Sequence, residues 1–127
     1  MEQYHKPSNK RVSSGTGGRR RAFRDKESAH LGGVFAATKV SDVDSTVKVR
    51  QRGGTKRPKI KKASSINVVM GKACKKVRII RVLKSHNPEY VRMNIITKGA
   101  IVETELGKVQ VTNRVGQDGV VNGVLVK

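Results

Sequence analysis

The sequence has few aromatic residues and few acidic ones. Its 127 residues include two Tyr, two Phe and no Trp, and only 9 Asp and Glu against 28 Lys and Arg. A core without Trp has to be built from Val, Ile, Leu and Ala, and is therefore small. The formal charge of +19 exceeds what solubility requires and disfavours the compact state unless a polyanion neutralises it. The expected partner is nucleic acid, with an anionic membrane surface as the weaker alternative.

Cysteine and long apolar runs are equally scarce. Cys74 is the single cysteine, so an internal disulfide is excluded, and it has no Cys or His neighbour at metal-ligand spacing. We expect it to be a small buried apolar residue. No apolar run approaches the roughly 20 residues needed to cross a bilayer, and the N-terminal residues MEQYHKPSNK do not resemble a signal peptide. These features predict a cytoplasmic protein with no membrane partner.

The groups that catalysis requires are scattered along the chain. Acidic residues two positions apart, such as Asp42 with Asp44 and Glu103 with Glu105, are interpreted as solvated surface carboxylates. Gly71-Lys72 is followed by Ala and lacks the earlier glycine of a phosphate-binding loop. The histidines are far apart, at His5, His30 and His86. We therefore predict no enzymatic activity, no metal or other cofactor, and no small-molecule substrate.

The composition changes near residue 34. Residues 1–33 consist mainly of Ser, Gly, Lys and Arg, and they cannot bury enough apolar surface to offset the entropy of ordering. We predict that residues 1–33 are a basic extension, disordered when free, and that residues 34–127 form one small domain. Residues 1–62 carry 17 basic and 5 acidic side chains, and residues 63–127 carry 11 and 4, so the positive charge is weighted toward the first half.

Short runs of alternating hydrophobic residues predict strands from residue 35 onward. Residues 35–40 (FAATKV) and 46–52 (TVKVRQR) have strand-like composition. In the second run a period of two places Val47 and Val49 on one face. The opposite face then carries Lys48, Arg50 and Arg52. The result is a sheet with a basic face.

The next segments predict a basic loop and a long strand. Residues 55–62 (TKRPKIKK) follow a Gly-Gly turn, and Pro58 argues against a central strand, so we interpret them as a loop or an edge segment. The hydrophobic phase changes at Ile79-Ile80, which predicts either a β-bulge or burial on both faces in the longest strand. Asn87-Pro88 has the chemistry of a helix start, and predicts a short helix over residues 88–94.

The last third of the chain has the clearest β pattern. Residues 100–105 and 108–112 flank Leu106-Gly107, which predicts a hairpin. A loop over residues 113–119 then precedes a closing strand, with a bulge or bend at Asn122-Gly123. The pattern predicts an all-β fold, a small antiparallel β-barrel or sandwich of about six strands, with at most one short helix.

Two groups of basic residues are candidates for RNA binding. Arginine side chains make forked hydrogen bonds with phosphate, and neighbouring glycines let the backbone approach the RNA. In the extension these arginines are Arg19, Arg20, Arg21 and Arg24, and Phe23 can stack on an unpaired base or dock on a protein. The second group lies on the predicted strand, at Lys48, Arg50 and Arg52.

Four blocks of sequence resemble a known family. They are TGGRRR (residues 16–21), VRQRGGTKRPK (49–59), NPEYVRMNIITKGAIVETELGK (87–108) and NRVGQDGVVNGVLV (113–126). Their order is similar to that in the small-subunit ribosomal protein eighth in the eukaryotic and archaeal series, the S-eight-e family. The resemblance covers nearly the whole chain, whose length is similar to that of the short archaeal members.

The resemblance implies a structural constituent of the small ribosomal subunit, with a small β-barrel and an N-terminal extension that enters the RNA. It implies no enzymatic activity, and its partners are small-subunit rRNA and neighbouring small-subunit proteins. The chain departs from the family pattern at Gly33 and Thr55, which are not carried over as contacts. The family's basic contacts fall on Arg19, Arg20, Arg21, Arg24, Arg50, Arg52, Lys56 and Arg57. A free nucleic-acid chaperone or DNA-coating protein would use the same charge without a place in a particle.

Overall fold

The computed structural model describes residue 4 and residues 28–51, 53–71 and 73–126. The chain divides into two compact units, residues 1–35 and residues 36–127. In the first unit, Ser28–His30 form one turn of 3-10 helix, and Tyr4 pairs with Leu31 in an isolated antiparallel bridge. The predicted phosphate-binding arginines at positions 19–24 lie outside the described residues, as does Arg52.

The second unit is built mainly of short strands. In chain order the elements are β1 (Lys39–Val40), β2 (Ser45–Arg50), β3 (Lys56–Ala63), β4 (Ser65–Met70), β5 (Ala73–Lys84), α1 (Pro88–Arg92), β6 (Ile101–Thr104), β7 (Gly107–Val111), α2 (Val115–Asp118) and β8 (Asn122–Leu125). Strands β4 to β8 close into a barrel, while the first three strands form a separate sheet in the order β1-β3-β2. The predicted small β-barrel is confirmed, with five strands in the barrel instead of about six. The described residues form two short α-helices where at most one was predicted. Within the described residues, no helix is both long and apolar enough to cross a membrane.

One parallel pair of strands closes the barrel. β4 pairs with β8 in parallel, with Asn67 opposite Asn122, and the other neighbouring barrel strands are antiparallel. Alternate residues of each strand point inward, so the barrel encloses an aliphatic core. Its most completely buried members include Ile66, Val68, Val102, Val109 and Val111. The predicted reliance on aliphatic side chains is confirmed.

The phase change in β5 is a bulge. Ile79 pairs with Thr104 and Arg81 pairs with Glu103, which leaves Ile80 without a residue opposite it on β6. Ile79 is buried, whereas Ile80 is 56% exposed. The bulge therefore allows a 12-residue strand, the longest of the described part, to follow the curve of the barrel.

The short helix and the hairpin are confirmed, but the helix ends at residue 92 instead of 94, and the turn lies one position before the predicted Leu106-Gly107. The side chain of Asn87 accepts a hydrogen bond of 3.0 Å from the backbone N–H of Glu89, and Pro88 is the first residue of α1. In the β6–β7 hairpin Thr104 pairs with Gly107, so the two turn residues are 105 and 106. Gly107 has φ of 118°, which is favoured by glycine.

The interpretation of residues 55–62 as a loop or edge segment is wrong. Residues 56–63 form β3, the central strand of the three-stranded sheet. Pro58 is tolerated because β1 is short and pairs only with Lys62 and Ala63, at the far end of β3. Among the described strands, Pro58 therefore has a neighbour on one side only, in β2, and its missing N–H breaks no pairing on the other side.

Four smaller predictions also need correction. Of residues 35–40 only Lys39–Val40 form a strand, and the predicted loop 113–119 contains α2, in which Val115 is buried. Cys74 is exposed, because it pairs with Val69 on the outer wall of the barrel. The register is continuous through Gly123, without a bulge.

Gly123 is instead required by close packing at the barrel seam. A Cβ at this position would lie 2.5 Å from Cγ1 of Val109 and 2.8 Å from the carbonyl oxygen of Gln110. It would also lie 2.9 Å from Cδ1 of Ile66. A glycine between β7 and β4 therefore lets the barrel close at this point.

We predict that Gly123→Ala destabilises the protein by about 1–3 kcal/mol, because the added methyl group overpacks the seam. Urea unfolding followed by far-UV circular dichroism measures the change. Val124→Ala, at the neighbouring exposed position, serves as the control and should alter stability by less than about 0.5 kcal/mol. Equal stability of the two variants would contradict the packing role of Gly123.

Candidate nucleic-acid interface

The hairpin of β2 and β3 carries basic residues on a face that continues beyond the barrel. Residues opposite each other in an antiparallel pair point to the same side of the sheet. Arg50 is opposite Lys56, Lys48 is opposite Pro58, and Thr46 is opposite Ile60. We call the side to which these six residues point the inner face.

The inner face is covered at one end and open at the other. Ile60 is buried in the core, and Pro58 packs so closely against Gly119 that a Cβ there would lie 2.8 Å from its Cγ. Farther along the hairpin, Lys48, Arg50 and Lys56 are exposed. The same face that anchors the sheet therefore presents three cations at its free end.

The opposite side of the sheet, which we call the outer face, carries valines and further cations. Val47 is opposite Lys59, and Val49 is opposite Arg57. The predicted alternation of valines and cations along β2 is confirmed, but the valines do not join the core, since Val47 is 44% exposed. Arg57 is exposed on the outer face, apart from the three cations of the inner face.

Four cations of the hairpin have no ion-pair partner among the described residues. Among the described residues, Lys48, Arg50, Lys56 and Arg57 make no ion pair, whereas other arginines do. Arg81 binds Glu103 at 2.6 Å on the barrel wall. Arg50 and Lys56 instead face each other across the strands. Like charges in directly opposite positions are destabilising, so the hairpin concentrates positive charge at a cost to the free protein.

Asp44 holds the start of this hairpin. Its Oδ1 accepts hydrogen bonds from the backbone N–H of Ser64 at 2.6 Å and from the Ser64 hydroxyl at 2.9 Å. The backbone hydrogen bond lowers the pKa of Asp44 below its usual 3.8, and the Ser64 hydroxyl and the charge of Lys76 act in the same direction against partial burial. The carboxylate thus links residue 44 to the junction of β3 and β4.

Nothing in this part of the molecule has the arrangement of an active site. A groove of about 180 Å³ separates the sheet from the barrel and is lined by Asp44, Thr46 and Lys76 among others. Asp44 already accepts the hydrogen bonds of Ser64. The described residues also contain no group of His, Cys, Asp and Glu that could hold a metal ion.

Sequence reasoning missed three exposed lysines of the same sheet. Lys39, Lys61 and Lys62 were not among the predicted contacts, because the pairing of β1 with β3 and the bulge in β3 that bring them together were not predicted. The signal was present in residues 59–63 (KIKKA), because Ile60 and Ala63 lie on the same face of a strand only if one residue between them is bulged out.

Fold and site together define a small, strongly basic β-barrel protein with a projecting cationic hairpin. A model of the family described as Ribosomal protein S8e matches residues 7–126 of this chain. The chain therefore belongs to the S8e family of ribosomal proteins, which are structural proteins and not enzymes.

Relatives of similar length are found in archaea. The small ribosomal subunit protein eS8 of Sulfolobus acidocaldarius is 45% identical over 115 residues, 88% of this chain and 90% of the relative. That of Hyperthermus butylicus is 43% identical over 116 residues, 88% and 85% of the two chains. That of Methanococcus maripaludis strain C5 is 43% identical over 122 residues, 94% of each chain. The resemblance stated from the sequence is confirmed.

We predict that Asp44→Ala lowers the melting temperature at neutral pH by a few degrees, because Ser64 loses its acceptor. The pKa of Asp44 is lower in the folded than in the unfolded state. The ionised carboxylate therefore contributes fully to stability above the pKa that it has in the unfolded state, and this contribution is lost as the pH falls through its pKa in the folded state. Thermal unfolding from pH 7 to pH 2 should show the melting temperatures of wild type and variant converging in acid.

Asp42→Ala, with the same change of charge, is the control and should melt near the wild-type temperature. A constant difference in melting temperature between wild type and Asp44→Ala at all pH values would exclude this role of Asp44.

Proposed function

We propose that this protein is a structural constituent of the small ribosomal subunit, which binds and stabilises small-subunit rRNA in support of translation. Family membership and the names of the relatives support the place in the small subunit. The charge of +19 supports an RNA partner, because a polyanion removes the self-repulsion of the free chain. Neighbouring small-subunit proteins are further partners, and the protein acts in the cytoplasm.

The observation that carries the proposal is the pairing of Arg50 with Lys56. These two cations lie directly opposite each other, Lys48 lies two residues along the same face, and none of the three makes an ion pair within the described residues. A phosphate group placed between two such cations converts a repulsive pair into two attractive contacts. The guanidinium supplies forked hydrogen bonds, and the ammonium supplies a compact point charge.

The binding energy comes chiefly from phosphate contacts. Each neutralised phosphate releases condensed counterions, so affinity falls steeply as salt rises. Such contacts fix the protein on the RNA without reading its sequence. A domain of about 90 residues buries proportionately little surface, and a ligand that binds only the folded state stabilises it by mass action. Bound rRNA therefore stabilises the folded domain, and the domain in turn stabilises the rRNA.

The extension is the second contact in the proposal. In the proposal, Arg19, Arg20, Arg21 and Arg24 bind phosphates, and the adjoining glycines allow close approach of the backbone. Arg52, which follows β2 in the sequence, and Arg57 complete the proposed set. Support for the extension is compositional: it is dense in cations and poor in the apolar side chains that would fold it alone.

We predict that Arg50→Gln with Lys56→Gln weakens binding to a small-subunit rRNA fragment and reduces the slope of log affinity against log salt by about 1.5, roughly 0.7–0.9 for each cation removed. Filter binding from 50 to 300 mM KCl measures both quantities. The control is Lys108→Gln, which removes a cation from β7, where Lys108 lies opposite Glu103. An unchanged slope in the double variant would remove the hairpin from the RNA interface.

We also predict that replacing Arg19, Arg20 and Arg21 with Gln lowers the affinity for all RNA sequences tested by a similar factor, because phosphate contacts carry no base specificity. Competition binding with a matched and an unrelated RNA measures the two affinities. Circular dichroism of the free variant should match that of the wild type, because these residues precede the barrel. If the affinity for both RNAs is unchanged, the extension does not bind phosphate.

A further inference from the structure

The outer face of the three-stranded sheet carries cations that the proposed function does not use. Two of these cations lie at a register shift in the pairing of β2 with β3. Ser45 pairs with Lys62 and Thr46 pairs with Ile60, so Lys61 has no residue opposite it on β2. In such a bulge two consecutive residues project from the same side of the sheet. Lys61 and Lys62 are accordingly both exposed, while Ile60 and Ala63 on either side are buried.

β1 adds a third lysine to this group. Lys39 pairs with Lys62 in parallel register, and Val40 pairs with Ala63. Val40 packs against the core and Ala63 belongs to it, so Lys39 and Lys62 share the opposite, exposed side. The sheet thus contains a second pair of cations in directly opposite positions. Within the described residues, Lys39, Lys61 and Lys62 make no ion pair, and nearby Asp44 is occupied by Ser64.

These lysines continue a row that begins at Arg57. Residues 57 and 62 are five positions apart on β3, about 17 Å at a rise of roughly 3.3 Å per residue. Val47 and Val49 of β2 lie beside the row and leave its cations open to a ligand. We call Arg57, Lys61, Lys62 and Lys39 the outer row.

We propose that the outer row binds a second segment of RNA backbone, so that the β2–β3 hairpin lies between two RNA segments, one on each face. This inference rests on the proposed function, since the inner face is the first RNA contact. The two faces of a sheet point in opposite directions, and a backbone held by Arg50 and Lys56 is therefore on the wrong side to reach Lys39 and Lys62. The density of unpaired cations favours a polyanion over a protein as the occupant.

Crosslinking from two adjacent positions tests the inference. Cys74, which is exposed, is first replaced by Ser, and a single cysteine is then introduced by Val47→Cys or by Lys48→Cys. These neighbours point to the outer and the inner face respectively. Each thiol carries a short azidophenyl group, and the full chain is assembled into small subunits, irradiated, and its crosslinks are mapped on the rRNA and the proteins. The chain with Cys74→Ser and no introduced cysteine gives the background.

The expected result is RNA crosslinks from both positions, on two different segments of the rRNA. Crosslinks to one shared segment would overturn the inference, as would a position-47 product made only with protein or absent above background. RNA crosslinks from one position alone would also overturn it while leaving rRNA binding in place. If neither position reaches RNA, the hairpin is not an RNA interface, and the proposed function fails at this site as well.

A matched pair of variants separates binding from structure. Lys62→Gln should weaken binding to the rRNA fragment several-fold, while the free protein melts no lower than the wild type, because a repulsive pair with Lys39 is relieved. Lys108→Gln makes the same chemical change on β7 and should bind as the wild type. Equal affinities of the two variants, or a Lys62→Gln protein that is less stable than the wild type, would contradict a phosphate-binding role for the outer row.

Discussion

Repulsion between cations that cannot all be paired within the chain is the constraint on which this structure depends. With 28 basic and 9 acidic residues, the chain has to fold around a small aliphatic core while keeping most of its charge exposed. The barrel provides the core, because the pairing of β4 with β8 closes it around the buried side chains of Ile66, Val68, Val102 and Val109. The separate sheet keeps charge exposed, because its hairpin extends cations beyond the barrel on one face and carries others on the opposite face.

The sheet is held to the barrel by a few specific contacts. Ile60 enters the core, and its carbonyl oxygen accepts a hydrogen bond of 2.7 Å from the fully buried Thr38 hydroxyl. The backbone N–H of Ile96 donates to the carbonyl oxygen of Thr38 at 2.8 Å. Together with the bonds of Asp44, these contacts fix the base of the hairpin while its cationic end remains open. These contacts position the charges in the free protein, which lowers the ordering cost of the proposed RNA binding.

Local patterns in the sequence predicted those features that local chemistry controls. Asn87 caps α1, the phase change at Ile79-Ile80 is a bulge, and the turn before Gly107 closes a hairpin. The sequence did not reveal β3, since Pro58 is a signal against a central strand and only the shortness of β1 makes it acceptable. Exposed Cys74 and the close approach at Gly123 likewise depend on which strands become neighbours, and that is a property of the whole barrel. The outer row could not be predicted for the same reason: Lys39 and Lys62 are 23 positions apart in the sequence and become neighbours only when β1 pairs with β3.

The central claim is that RNA relieves the charge repulsion that limits the stability of the free protein. Thermal unfolding of the full chain with and without a small-subunit rRNA fragment, at low and at high salt, tests it most directly. The account predicts that the RNA raises the melting temperature at low salt and that this increase disappears at high salt, while salt alone stabilises the free chain by screening. An rRNA-dependent increase that persists unchanged at high salt, or no increase at low salt, would contradict it.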